Sequence, residues 1–140
     1  MRRCIKILSA LLLLLSTEIV GQSGLIKVEI KGIEEHIGNI SIGLFNDSSS
    51  FPKEGLDGIK IAADSDSISH IFSNLRKGEY AIAVYHDENN NDKLDRNFLG
   101  IPTEKYMFSN YAGHMFGPPN FDEAKFLLKD SVEIKLDFRK

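Results

Sequence analysis

The chain has a single cysteine, Cys4, which sits at the extreme N-terminus among Arg2, Arg3 and Lys6. If that segment is a leader, the mature chain carries no thiol. Disulfides, a cysteine nucleophile and a thiolate metal centre are then excluded. Positive charge is also scarce: 17 Lys and Arg stand against 20 Asp and Glu, a net charge of −3. Without a basic patch to neutralise phosphates, nucleic acid is not an expected partner. The most apolar stretch, Ile7 to Leu15, is too short to span a bilayer. Helical periodicity, heptads and internal repeats are missing. So are G-x-S-x-G, H-x-H, H-E-x-x-H and any glycine-rich phosphate loop. His36, His70, His86 and His114 are scattered. The familiar motifs of nucleophilic, zinc-hydrolytic and nucleotide chemistry are thus not here, and a hydrolase is the least expected reading.

What is present begins with an export signal. Arg2, Arg3 and Lys6 form a positive n-region, Ile7 to Leu15 an apolar h-region, and Ile19-Val20-Gly21 offers a small residue before a cut. Residues 1–21 are expected to be a signal peptide, delivering residues 22–140 to the periplasm or outside the cell. The mature form is not expected to span a membrane. Its loss removes Arg2, Arg3, Lys6 and Glu18, leaving 14 basic and 19 acidic residues and a charge of −5. Mild acidity of this kind is compatible with binding a cation.

Short alternating runs follow. Ile26, Val28 and Ile30 point one way and Lys27, Glu29 and Lys31 the other, the period of a half-buried strand. Asn39 to Asn46 repeats the pattern, with Gly43 marking a bulge or a close approach. Ile59 and Ile61, then Ser67 to Ser73, predict two more strands. Before them Phe51, in a Ser-, Pro- and Gly-containing loop from Asp47 to Asp57, is expected to plug the core. Glu79 to His86 is the most apolar strand and is expected to be central. Ala124 to Leu128 and Ser131 to Phe138 are expected to pair across Lys129-Asp130.

This predicts an all-β fold: an antiparallel seven-stranded β-sandwich, immunoglobulin-like or transthyretin-like, forming one domain over residues 22–140. Residues 86–122 show no clear period. They hold Phe98, Leu99, Ile101, Tyr106, Met107, Phe108, Tyr111, Met115, Phe116 and Phe121, too apolar a set for disorder. They are expected to fold against the sandwich as an ordered cap between the central strand and the last hairpin. Gly117-Pro118-Pro119 stiffens its return.

The cap opens with an array of oxygen-bearing side chains. Asp87, Asn89, Asn91 and Asp95 occupy positions 1, 3, 5 and 9 of a D-x-N-x-N-x-x-x-D run, and Lys93 at position 7 offers its backbone carbonyl. That spacing suits calcium, a hard cation wrapped by a short loop. Two positions depart from it. Asp92 stands where glycine is wanted for positive φ, and Phe98 stands where a bidentate acid is wanted. The acid would have to come from Glu104 or Asp122. With two charged side-chain ligands, any calcium site should be weak. The competing reading is an Asx-rich turn that hydrogen-bonds its own backbone. His86, Tyr106, Phe108, Tyr111 and Phe116 are candidates to line a groove for a small molecule, glycan or peptide. Against this, the aromatics could form the cap's own core, and His86 could be a hydrogen-bonded structural residue.

Leu75, Gly78 to Val84, His86 to Asp95 and Asn97 to Pro102 together resemble DUF2141, a bacterial family of exported proteins. Tyr106, Phe108-Ser109-Asn110 and Phe116-Gly117-Pro118-Pro119 continue the likeness over nearly all of the mature chain. The family pattern usually carries Gly where this chain has Asp92. The resemblance implies an exported β-sandwich domain of unknown function and brings no catalytic residue with it. The expected role is a non-catalytic binding or structural module with a protein, glycan or small molecule as partner.

Overall fold

The computed structural model describes residues 23–110 and 117–139. The signal-peptide reading, and those placed on Tyr111, His114, Met115 and Phe116, lie outside the described residues. None of the described helices is long and apolar enough to cross a membrane.

Strand β1 (Gly24–Lys31) follows its sequence pattern: Ile26, Val28 and Ile30 are buried, and the intervening side chains are more exposed. It lies at the centre of a three-stranded sheet. On one side it pairs antiparallel with β4 (Ser67–Leu75), Ile30 opposite Ile68. On the other it pairs parallel with β8 (Ser131–Asp137), Ile30 beside Leu136. The second sheet runs in the order β3 (Asp57–Ala62), β2 (Asn39–Phe45), β5 (Gly78–Asp87), β6 (Tyr106–Phe108). Strand β7 (Phe126–Leu128) pairs with the start of β5, Leu128 opposite Gly78. A four-residue helix, α1 (Phe121–Ala124), precedes β7 and is capped by Asn120 and Glu123, each side chain bonded to the other's backbone N–H.

Both sheets are open, and their inner faces share one core. Ile26, Val28 and Ile30 of β1 and Ile68 and Phe72 of β4 belong to the same cluster as Ile40, Ile42 and Leu44 of β2 and Ile82 and Val84 of β5. A second cluster covers one end of the outer face of the larger sheet. There Phe51 packs edge-on against Phe45, Phe108 and Phe121 at centroid distances of 5.1, 5.7 and 5.9 Å. Phe51 is the plug its sequence context predicts, although it closes this second cluster and not the main core.

Four expectations need correction. The described residues form eight strands, not seven. The additional one, β6, has three residues, too few for a period to show. The pairing is not wholly antiparallel, because β8 runs parallel to β1. The last two strands form no hairpin: Lys129-Asp130 carries the chain from the larger sheet, where β7 pairs with β5, to the smaller one. Finally, the cap does not pack all its apolar side chains inward. Tyr106, Phe108 and Phe121 join the second cluster, but Phe98 is 95% exposed, and Leu99 and Ile101 are more than half exposed. The Asn97 carboxamide accepts from the amides of Leu99 and Ile101 and fixes a turn that holds these three away from the sheets.

Candidate functional site

The site grows from the last residues of β5. His86 follows Ile82 and Val84 onto the inner face, while Asp87 falls on the outer face opposite Asn39. Asp87 is nevertheless 0% exposed, because the following loop folds back over it. Its Oδ1 accepts from the Asn91 amide at 3.0 Å and its Oδ2 from the Asp92 amide at 2.9 Å. Two residues of that loop, Asn90 and Asp92, take left-handed φ values of 58° and 64°. Asn and Asp accept that conformation more readily than other non-glycine residues. Gly38 completes the seat. With φ at 66°, it passes so close to Asp87 that a Cβ would lie 2.0 Å from the Asp87 carbonyl oxygen.

The side chains of positions 3, 5 and 9 meet. Asn89 donates from Nδ2 to Asp95 Oδ2 at 2.6 Å, and Asn91 from Nδ2 to Asp95 Oδ1 at 2.8 Å. The Asn89 and Asn91 carboxamide oxygens accept from the backbone of Asn91 and Lys93 at 3.2 and 3.0 Å. Lys93 itself is exposed. Asp92 turns outward to an ion pair with Lys60 of β3, and this hydrogen bond raises the pKa of the Lys60 ammonium. The structure therefore brings Asn89, Asn91 and Asp95 together and links Asp87 to them through the Asn91 amide. Among the described residues, no three His, Cys, Asp or Glu side chains form a metal-binding group. This array has two carboxylates, and its remaining oxygens come from amides and backbone.

Neither acid considered for the missing bidentate position is free to take it. Glu104 is buried and joins the two ends of the loop, Oε1 accepting from the Glu88 amide at 3.0 Å and Oε2 from the Asp95 amide at 2.9 Å. Asp122 lies on α1, paired with Lys125 at 2.8 Å. Sequence reasoning missed the clip role of Glu104. The available signal was an isolated acid shortly after an acidic loop, which is a weak one.

The groove candidates are placed differently. His86 is buried, with Nε2 2.8 Å from the Ile37 carbonyl and its ring stacked on Phe138 at a centroid distance of 6.4 Å. Its Nδ1 lies 4.0 Å from Glu88 Oε1, beyond hydrogen-bond reach. Phe108 is buried in the second cluster. Tyr106 is half-buried and, with Ile101, Pro102 and Pro118, lines a cleft of about 280 Å³. Tyr111 and Phe116 lie outside the described residues. Ser109 is fully buried; it donates to the Ala124 carbonyl at 2.6 Å and accepts from the Ile82 amide at 2.8 Å. Its hydroxyl ties the end of β6 to α1, a structural use that its sequence context does not reveal.

Comparison with curated proteins and with solved structures finds no significant match. A family model does match, over residues 28–135, running from β1 through the loop and its Glu104 clip into β8. On that match the chain belongs to DUF2141, the uncharacterized proteins conserved in bacteria.

Proposed function

We propose that this protein is an exported, non-catalytic binding module with a β-sandwich fold, in which a calcium ion staples the loop from Asp87 to Asp95. The observation that carries this reading is the convergence of the Asn89 and Asn91 carboxamides on Asp95, at 2.6 and 2.8 Å. Half-turns of the two carboxamides would exchange N–H donors for oxygens facing Asp95 without moving the backbone. Asp87 and the Lys93 carbonyl stand at the remaining positions of the array. The rearrangement gives up two hydrogen bonds to a carboxylate, worth about 1.5–3 kcal/mol each, and the two backbone bonds of the carboxamide oxygens, worth about 1 kcal/mol each. With only two carboxylates, this points to the weak affinity of extracellular modules, a Kd of ~10⁻⁴–10⁻³ M. The non-catalytic part rests on His86 and Ser109: the His86 Nε2 lies 2.8 Å from the Ile37 carbonyl, and the Ser109 hydroxyl is held between the Ile82 amide and the Ala124 carbonyl.

Thermal melts in calcium and in chelator test the staple, with magnesium as control. At about a hundredfold excess over Kd, calcium should stabilise the fold by about 2.7 kcal/mol. That corresponds to a rise in Tm on the order of 10 °C. Magnesium should do less, since it gives up its water reluctantly. Asp95→Ala should remove the calcium response. Equal midpoints in calcium and chelator would leave an Asx turn closed by its own hydrogen bonds.

A second reading, a ligand groove in the aromatic cap, is favoured by one observation: the cleft lined by Tyr106. Small-molecule, glycan or peptide probes that shift the Tyr106 and Ile101 amide resonances would support it.

A further inference from the structure

The outer face of the larger sheet carries a trough unrelated to the calcium loop's ligands. Strand register explains it. One row across the sheet reads Lys60, Ser41, Tyr85; the next reads Gly58, Gly43, Ala83. The second row has no side chain larger than a methyl group, so the sheet is bare between taller neighbours. Tyr85 and Lys60 rise on one side, and Phe45 and Pro52 close the other, around a cavity of about 720 Å³. Filling the floor requires neighbours to move: a Cβ on Gly43 would lie 2.8 Å from the Phe45 ring, and one on Gly58 would lie 3.3 Å from the Ile42 carbonyl oxygen.

A second, independent feature points to a ligand. Ser41, in this floor, is only 8% exposed, and its Oγ has no hydrogen-bond partner among the described residues. A buried hydroxyl without a partner costs about 1–3 kcal/mol, and such groups call for an explanation. Ser41 lines the cavity, and a ligand atom that reached its Oγ would supply the missing bond.

From this geometry we infer that the trough binds a neutral sugar ring. A pyranose is a disc with apolar C–H faces and a hydroxylated edge. The bare Gly58–Gly43–Ala83 floor suits a face, and the half-buried Tyr85 supplies an aromatic flank of the kind that covers apolar surface while keeping a polar end. The edge meets donors and acceptors together: Lys53 and Lys60 donate, Asp57 accepts, and Ser41 does either. Lysines and acids are balanced at this rim, Lys60 being already paired with Asp92, so the charge pattern favours a neutral polyol over an organic anion. Apolar walls with a few converging polar groups are the general form of a small-ligand site. The inference does not depend on calcium binding.

The test is an amide-resonance titration of the protein with methyl glycosides of glucose, galactose, mannose and N-acetylglucosamine, and with their trisaccharides. Benzoate serves as the anionic-ring control. At least one sugar should shift Ser41, Gly43, Gly58 and Tyr85 at millimolar concentration. Tyr85→Ala should weaken that binding about tenfold or more. Ser41→Ala should also weaken it while leaving the free protein as stable or more stable, because it removes an unpartnered hydroxyl; a merely structural serine would show no such opposition. No response to any sugar, a response confined to benzoate, or shifts only outside these residues would overturn the proposal.

Discussion

Ile30→Ala is expected to destabilise the protein by about 2–5 kcal/mol, the range for truncating a buried isoleucine. Ile30 is fully buried near the end of β1, the strand that holds β4 on one side and β8 on the other. Its register partners Ile68 and Leu136 lie in the same core, Ile68 buried and Leu136 partly so. Truncation would leave a cavity between strands already committed to their backbone pairing, so the walls could collapse only in part. Domains of this size are held by about 5–15 kcal/mol in total, so this one change would remove a large share. Urea unfolding of the variant is the measurement, and Ile71→Ala is the contrast. Ile71 lies on the opposite face of β4 and is 54% exposed, and surface changes usually stay within about 0.5 kcal/mol. Comparable losses at the two positions would mean that the faces of β4 are misassigned, since a one-residue slip exchanges them.

The second large effect is expected at Glu104. Its two carboxylate oxygens accept from the Glu88 and Asp95 amides and so close the loop that carries both the oxygen array and the exposed Phe98 turn. Hydrogen bonds to a charged group contribute about 1.5–3 kcal/mol each. Glu104→Ala should therefore cost about 3–4 kcal/mol, the lower part of the combined range of about 3–6 kcal/mol, because water can reach the opened loop. Glu104→Gln keeps one acceptor oxygen but turns an NH₂ toward the other amide, so it should recover no more than about half. Hydrogen exchange locates the effect. The Glu88 and Asp95 amides should lose protection well beyond the fall seen for β1 amides. Unchanged protection at both would show that Glu104 is not the clip. This experiment separates the loop's own closure from any contribution of calcium, because it is carried out in chelator.

The proposed sugar trough was only half legible. Gly43 stood out as a glycine inside a strand, a recognised mark of close approach. Its depth depends on Gly58 and Ala83 arriving beside it from two other strands, at sequence distances no local pattern reports. The oxygen array behaved similarly. Its spacing was plain, but the engagement of Asp87 by the Asn91 and Asp92 amides, and of Glu104 by both ends of the loop, follows from how the chain closes on itself.

By itself the sequence determined which side of the alternating strands β1, β2, β4 and β8 is buried and that β5 is the most apolar strand. Alternation in Ile26, Val28 and Ile30, with a period of two, and the continuous apolar run of β5 are local properties, and burial of those side chains outweighs most alternatives. Tertiary structure alone decided which strands become neighbours. Strand β8 lies parallel to β1, β7 turns to β5, and a three-residue β6 emerges from the cap, because backbone pairing leaves no pattern in side-chain order. It also decided that Phe98, apolar enough to suggest a cap core, stands in solvent. Hydrophobicity specifies a preference for burial, whereas the Asn97 turn specifies direction, and in this loop the hydrogen bonds of the turn prevail.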